Sequence, residues 1–374
     1  MAVYVDTTGT VEGFERILKN AALDVENGTL LIFACDANGF TPLQLDPILR
    51  TMKATILGGI FPSILHDLTR LDRGTIIAAV PTRATCVHID GLGDESVDFV
   101  EAIDRQIENV HDFRTMVIWV DGFAERISEL IYSLFTVFGL EYNYIGGGAG
   151  SLSMRSKPCI LTNQGLKADA AQIALLGCPS AVGVCHGWTS MAGPFRITES
   201  RGNTIKTIEW RPAFDLYREV LAQHPKVELS RENFFSVAKG YPFGIAKLEA
   251  EPLVRDPVLV TPEGHLVCAG DMPEGSFVDI LSGDADSLLK ATHTAKQRRD
   301  SLRPAGLTDP LNLFIDCISR ALFLEDRYHE ELQAAFTPNQ PMIGACTIGE
   351  IANTGNDFIE FYNKTAVLGV LGGA

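Results

Sequence analysis

Residues 144–151 read Tyr-Ile-Gly-Gly-Gly-Ala-Gly-Ser, so Gly146, Gly147, Gly148 and Gly150 leave a stretch of main chain almost bare of side chains. Without Cβ atoms, such a backbone adopts conformations closed to other residues and lets another group approach it closely. Two readings stay open. The stretch is either a tight crossover where two sheets pass, or a cradle of amides for an anionic ligand group. The phosphate motifs do not fit. Ser151 stands where the last glycine of a dinucleotide fingerprint belongs, no Walker lysine follows, and Lys157-Pro158 breaks any helix ahead of Cys159.

Two other segments carry one pattern twice. Leu31-Ile32-Phe33-Ala34-Cys35 reads as a buried strand, followed by a helix from Pro42 to about Met52 and by Thr55-Ile56-Leu57-Gly58. Leu313-Phe314-Ile315-Asp316-Cys317 is followed by the helical stripe Ile318, Ala321, Leu322, Tyr328, Leu332 and Phe336, and then by Met342-Ile343-Gly344-Ala345. In both, the first strand ends at a cysteine and the second runs into glycine, which points to an internal duplication. Thr75 to Val80 and Thr85 to Ile89 flank Pro81-Thr82-Arg83 at hairpin spacing. A stripe of Val97, Val100, Ile103, Ile107 and Val110 predicts an amphipathic helix, as does the run from Ile127 to Phe138, stopped by Gly139. The expected fold is α+β. Two mixed domains with largely antiparallel sheets flanked by helices are expected at residues 1–223 and 224–374, meeting at His224-Pro225.

A chain of 374 residues, 46% of them hydrophobic, buries a full core. Its 31 basic and 47 acidic residues leave a net charge of −16, which repels phosphate backbones and anionic lipid. Nucleic acid is not an expected partner. No run approaches the roughly 18 apolar residues of a membrane span, and the first residues carry no secretory signal pattern, so a cytoplasmic protein without membrane insertion is expected. The eight cysteines form no Cys-x-x-Cys pair and read as buried thiols.

The polar residues with chemistry to offer lie in the second half. Cys317-Ile318-Ser319-Arg320 sits at a strand-to-helix turn, where free amides lower a thiol's pKa and Arg320 presents a fork of donors suited to a carboxylate. A packed thiol beside an exposed arginine is the plainer alternative. The last strand alternates Ile359, Phe361, Asn363, Thr365 and Val367 against Phe358, Glu360, Tyr362 and Lys364, so Asn363 and Thr365 fall on the apolar face and need partners. Glu350, between apolar neighbours, calls for Arg320 or a ligand amine, unless it is a solvated loop carboxylate. A nucleophilic Cys317 would need a base, and no histidine is placed beside it by the sequence. His186 next to Trp188 is the histidine to watch, yet it lies in no haem-attachment context, and no haem or other cofactor is expected.

Taken in order, Tyr144-x-Gly-Gly-Gly-Ala-Gly, Pro194-Phe195-x-Ile-Thr198, Pro212-Ala213 with Tyr217, Tyr241-Pro242-x-Gly244, Val254-Arg255-Asp256-Pro257, Gly270-Asp271-Met272-Pro273-Glu274-Gly275, Cys317-x-x-Arg320, Gly349-Glu350-Ile351 and Asn363-x-Thr365 resemble the FIST family. These are two-part sensory modules of signalling proteins. The resemblance implies sensing of a small ligand, an amino acid or similar metabolite, in a cleft between domains. It also carries haem and nitric oxide sensing as an alternative, known for some members. Where the family's first half often has Gly-Cys-Thr-Thr-x-Gly-Glu, this chain has Gly58-Gly59-Ile60-Phe61-Pro62-Ser63. Because no kinase, cyclase or DNA-binding segment is read along the chain, a separate signalling output protein is expected.

Overall fold

A computed structural model describes residues 1–107, 113–224, 228–247, 251–353 and 358–373. Val110 of the expected stripe and Pro225 of the expected domain junction lie outside them. The fold is mixed α+β with mostly antiparallel sheets, and one unit occurs three times along the chain.

The first repeat runs β1 (Ala2–Asp6), α1 (Val11–Asp24), β2 (Thr29–Cys35), α2 (Pro42–Leu49) and β3 (Thr55–Phe61), then a hairpin of β4 (Ser63–His66) and β5 (Thr69–Leu71), then β6 (Thr75–Val80). The second runs β7 (Thr85–Asp90), α3 (Phe99–Asp104), β8 (Thr115–Asp121), α4 (Ile127–Phe138) and β9 (Asn143–Ala149), the hairpin β10 (Ile160–Thr162) and β11 (Gly165–Lys167), and β12 (Ala170–Leu176). The third opens with β13 (Ser180–Cys185) and is interrupted by an insertion. That insertion comprises β14 (Thr189–Arg201), β15 (Thr204–Ile208), β16 (Arg211–Pro212), α5 (Ala213–Ala222), α6 (Phe234–Ala238), β17 (Phe243–Ile245), β18 (Leu253–Val260), β19 (Leu266–Ala269) and β20 (Phe277–Ser282). The repeat resumes with α7 (Ala285–Leu302), β21 (Thr308–Cys317), α8 (Ile318–Leu324), α9 (Tyr328–Ala335) and β22 (Met342–Thr347), the hairpin β23 (Glu350–Ala352) and β24 (Glu360–Tyr362), and β25 (Ala366–Gly373).

Strand order makes the equivalence explicit. The sheets read β1-β6-β2-β3-β10-β11, β7-β12-β8-β9-β23-β24 and β13-β25-β21-β22-β4-β5, with a parallel pair at the middle of each. Each repeat places its hairpin in another repeat's sheet, so the three interlock in a ring. The expected duplication is present in the two units that contain Cys35 and Cys317, and a third copy ends its first strand at Asp121.

One glycine recurs at the same register. Gly58, Gly146 and Gly344 face Ile32, Ile118 and Phe314 across the parallel pair, and a Cβ at each would lie 2.1, 1.8 and 1.8 Å from the partner's carbonyl oxygen. Only glycine allows strands so close. The bare stretch is therefore an interior strand at a crossover, with Gly147 and Gly148 pressed against the Gly349 and Ile348 carbonyls in the same way.

The spacing across Pro81-Thr82-Arg83 does not make a hairpin. β6 is buried along its whole length and lies between β1 and β2, whereas β7 alternates as an edge strand does and pairs with β12 in a different sheet. The main core lies between the sheets, where the rings of Phe33, Phe61 and Trp119 meet with centroids 5.2–5.7 Å apart. In the insertion, β14, β20, β17, β18, β19 and β15 pair in a closed circuit, forming a barrel. The expected boundary at residues 223/224 falls inside this insertion, while β4, β5 and β13 share a sheet with β21, β22 and β25.

Candidate functional site

At the end of β21 the chain turns into α8, and the residues at this turn meet the break between β24 and β25 and the barrel strand β18. The alternation expected along the last strand fails at one residue. Lys364 takes φ +52°, splits the segment into two strands and turns its side chain inward, where it is fully buried. Its ammonium lies 3.2 Å from Asp256 Oδ2, donates to the Lys239 carbonyl at 2.8 Å and faces the Trp188 ring at 5.1 Å. Ser319 donates to the same Asp256 oxygen at 2.8 Å. Thus a core lysine meets a barrel carboxylate, both out of water, and such a charge needs its partner.

Arg320 is fully buried, and its partners differ from the expected one. Nε donates to Glu331 Oε1 at 3.0 Å, Nη1 to the carbonyls of His186 at 2.7 Å and Lys364 at 3.3 Å, and Nη2 to Thr292 Oγ1 at 2.9 Å and Leu288 O at 3.0 Å. Asp316 Oδ1 lies 3.1 Å from Nε without hydrogen-bond alignment, because that N–H points at Glu331. Of the alternatives open for Glu350, the pair with Arg320 is therefore not formed, and its full burial rules out a solvated loop carboxylate. Two carboxylates nearer in the fold, Asp316 and Glu331, occupy the guanidinium.

Glu350, also fully buried, accepts from Thr347 Oγ1 at 2.9 Å and from the Thr365 amide at 3.3 Å, with the Cys317 thiol close by. Burial, and then the charge of Asp316, push its carboxyl well above the usual range. Thr365 Oγ1 donates to the Asn363 carbonyl at 2.8 Å. The thiol of Cys317 is likewise pushed well above its usual value, by burial first and by Glu350 second, although the amides of Lys364 and Ser319 face it. The lowering expected from the helix start is overridden because the site is dry and carries a carboxylate. Glycine amides take the crossover role: Gly148 donates to Gly349 O at 2.9 Å and Gly150 to Ile60 O at 2.8 Å, leaving neither for an anion.

A pocket of about 630 Å³ opens at Lys239, lined also by Ser236, Gly240, Tyr241, Gly283 and Phe323 among others but not by Lys364 itself. Its volume is that of a small-molecule site. The wall residue Lys239 holds the Lys364 ammonium through its carbonyl, and Phe323 packs edge-on against Trp188 with centroids 5.2 Å apart. Two buried acceptors of the cluster, Asp256 Oδ1 and Asn363 Oδ1, have no hydrogen-bond partner among the described residues. Buried oxygens of this kind are normally satisfied.

The sequence reading placed Cys317, Arg320, Glu350, Asn363 and Thr365 together, and the fold brings these five to one turn. It missed Lys364, Asp256, Ser319, Lys239 and Trp188. A signal was present, since Lys364 is the unspecified residue of Asn363-x-Thr365 and Asp256 lies in Val254-Arg255-Asp256-Pro257. His186, nearly buried, accepts at Nδ1 from the Trp188 amide at 2.9 Å, its Nε2 lies 3.5 Å from Glu251, and burial lowers its pKa to about 4.

Two family models match the chain. The one described as FIST N domain covers residues 29–211, and the one described as FIST C domain covers residues 213–353. No curated protein matches it.

Proposed function

Because the chain belongs to the FIST family, whose domains are sensory domains of signal-transduction proteins, we propose that it senses a small zwitterionic metabolite, an amino acid or a close relative, in the pocket at Lys239. One observation carries this reading: a pocket of metabolite size opens at Lys239, whose carbonyl holds the buried Lys364 ammonium, and two buried acceptors, Asp256 Oδ1 on the carboxylate paired with that ammonium and Asn363 Oδ1 on the preceding residue, have no hydrogen-bond partner among the described residues. The ligand carboxylate meets the Lys239 ammonium in the pocket wall, and its amine is drawn toward the unpartnered acceptors Asp256 Oδ1 and Asn363 Oδ1, which do not themselves line the pocket. Cys317, Arg320, Glu350 and Thr365 act on the ligand by fixing the strand break that presents Asn363 and Lys364. Gly146, Gly147, Gly148 and Gly150 act by seating β9 against β23, the strand that begins at Glu350. Output passes to a separate cytoplasmic signalling protein. Haem is left out of this reading, because the buried His186 Nε2 lines neither the pocket at Lys239 nor a smaller one at Trp210.

The test is a thermal-shift screen of amino acids and organic acids on wild type, Lys364→Met and Asn363→Ala. A ligand at a hundred times its Kd stabilises the native state by about 2.7 kcal/mol. Stabilisation of wild type by an amino acid but not by the matching amine or acid alone, lost in both variants, is the expected outcome. A screen without a hit, or equal shifts in all three proteins, sinks the proposal.

A further inference from the structure

Around the end of β21, three carboxylates gather out of water. Asp316 on β21, Glu331 on α9 and Glu350 on β23 are each fully buried, and so is the one guanidinium among them, Arg320. Thr347 ties Glu350 into the group, since its hydroxyl lies 2.9 Å from Glu350 Oε1 and 3.2 Å from the Asp316 carbonyl. The buried Lys364 ammonium is committed to Asp256. With Asp316, Glu331 and Glu350 all ionised, their charges would face that of Arg320 alone in a dry interior, and carboxylates so placed take up protons instead.

Hydrogen bonding singles out the carboxylate that lacks a counter-charge. Asp316 Oδ1 and Glu331 Oε1 both lie within 3.1 Å of the same Arg320 Nε, whose single N–H is aligned on Glu331. Glu331 also accepts from Nη2 and from the Thr292 hydroxyl. Asp316 is left with the Tyr328 hydroxyl, 2.9 Å from Oδ2, and the nearby Cys317 amide, while its Oδ1 has no hydrogen-bond partner among the described residues. The other titratable groups around it bring no positive charge: Cys317 next in the chain, Glu350, and Cys346 on β22, 3.3 Å from the same Tyr328 oxygen. Arg70 on β5 stands over the Tyr328 ring, 5.4 Å from its centroid. Burial first, and the charge of Glu331 second, push the Asp316 carboxyl well above the usual range.

Arg320 also ties the strand break to the entry of the barrel. Its Nη1 donates to the carbonyl of His186, where the chain leaves β13 for the barrel, and to that of Lys364. The Trp188 indole donates to the same Lys364 carbonyl at 3.3 Å. We propose that Asp316 holds a proton in the folded protein and releases it to water as pH rises, and that the ionised carboxylate then draws Arg320 off the Lys364 and His186 carbonyls. A carboxyl that binds its proton more tightly folded than unfolded contributes stability that is complete below its ordinary pKa of about 3.9 and is lost as pH rises through the folded value. Because the Lys239 carbonyl holds Lys364, proton release also weakens metabolite binding in the pocket at Lys239, a consequence that rests on the function proposed for that pocket.

Infrared spectra of the full chain over a pH series read the carbonyl band of protonated carboxylic acids, and the indole N–H resonance of Trp188 reads the strand break. The expected result is such a band in wild type at neutral pH that falls as pH is raised, with a Trp188 shift of the same midpoint. Asp316→Asn fills the same space without titrating, so the band is diminished and the shift is lost. Glu331→Gln removes the competitor for Arg320, so Asp316 ionises and Trp188 is already shifted at neutral pH. No protonated-acid band in wild type, a band that both variants leave unchanged, a band that persists until the protein unfolds, or a Trp188 titration alike in wild type and Asp316→Asn would each overturn the proposal. An amino acid that stabilises wild type is expected to bind at least tenfold more weakly after the transition, and an affinity level across it would overturn the link to the pocket. A screen without a hit sinks the metabolite reading alone, because the band and the Trp188 shift are measured without ligand.

Discussion

Arg320 and Lys364 are both buried cations, and the structure assigns them opposite relations to a ligand. Every donor direction of Arg320 is filled by protein, so Arg320→Ala is expected to lower stability by about 3–5 kcal/mol, the usual loss when one partner of a buried pair is removed. Urea denaturation checks this, with the same loss whether or not ligand is present. Lys364 instead adjoins acceptors that lack partners. A pH prediction belongs to Glu350. Its carboxyl is raised by burial and by Asp316, so the folded protein binds its proton more tightly than the unfolded chain does. That contribution to stability is complete below the ordinary carboxylate pKa of about 4.3 and is lost as pH rises through the raised folded value. Glu350→Gln removes the titration. Its urea midpoint relative to wild type is therefore expected to rise as pH climbs above the ordinary carboxylate value. A difference independent of pH would show that Glu350 is ionised throughout. Cys317, with its thiol pushed up, is expected to resist alkylation at neutral pH in the native protein. Rapid stoichiometric labelling there would revive the enzyme reading.

At the scale of elements, the recurrent glycine is the feature with the sharpest consequence. A methyl at Gly344 would sit 1.8 Å from the Phe314 carbonyl, a backbone atom that has no rotamer to yield. Gly344→Ala is expected to destabilise by about 3 kcal/mol or more, at the upper end of overpacking. Gly39→Ala provides the contrast. It meets nothing within 4 Å and bears only the strain of φ +69°, about 1–2 kcal/mol. Equal losses in the two variants, measured by denaturation, would contradict the close approach of the parallel strands.

The ring of exchanged hairpins governs the whole molecule. Because β4–β5, β10–β11 and β23–β24 each complete another repeat's sheet, no repeat keeps its sheet when a neighbour unfolds. The three-repeat core is expected to unfold as one unit. Pulsed alkylation across a urea series tests this, since the buried thiols of Cys35, Cys159 and Cys346 come from three different repeats, Cys159 sitting where the second repeat's hairpin enters the first repeat's sheet. A common midpoint is expected, and exposure of one thiol well before the others would argue for separable repeats.

Local pattern alone was enough for much of this protein. Apolar runs with punctuating glycines located β2, β3, β8, β21 and β22, because a buried strand leaves its mark in its own residues. The helix from Ile127 to Phe138 was legible in its stripe and its glycine stop for the same reason. One repeat of the three was hidden because β8 ends at Asp121 where the other two end at cysteine, and the shared property is backbone register rather than side-chain identity. The partner of Arg320 could not be read, since several carboxylates lie within reach in sequence and only the fold brings Glu331 to it. Lys364 was misplaced for a sharper reason. Alternation holds while φ stays extended, and a single left-handed residue reverses the facing of everything at that position. Sequence therefore determined which segments are strands and which polar residues need partners. Tertiary structure decided which partners they have, because pairing depends on distances between segments that no local period encodes.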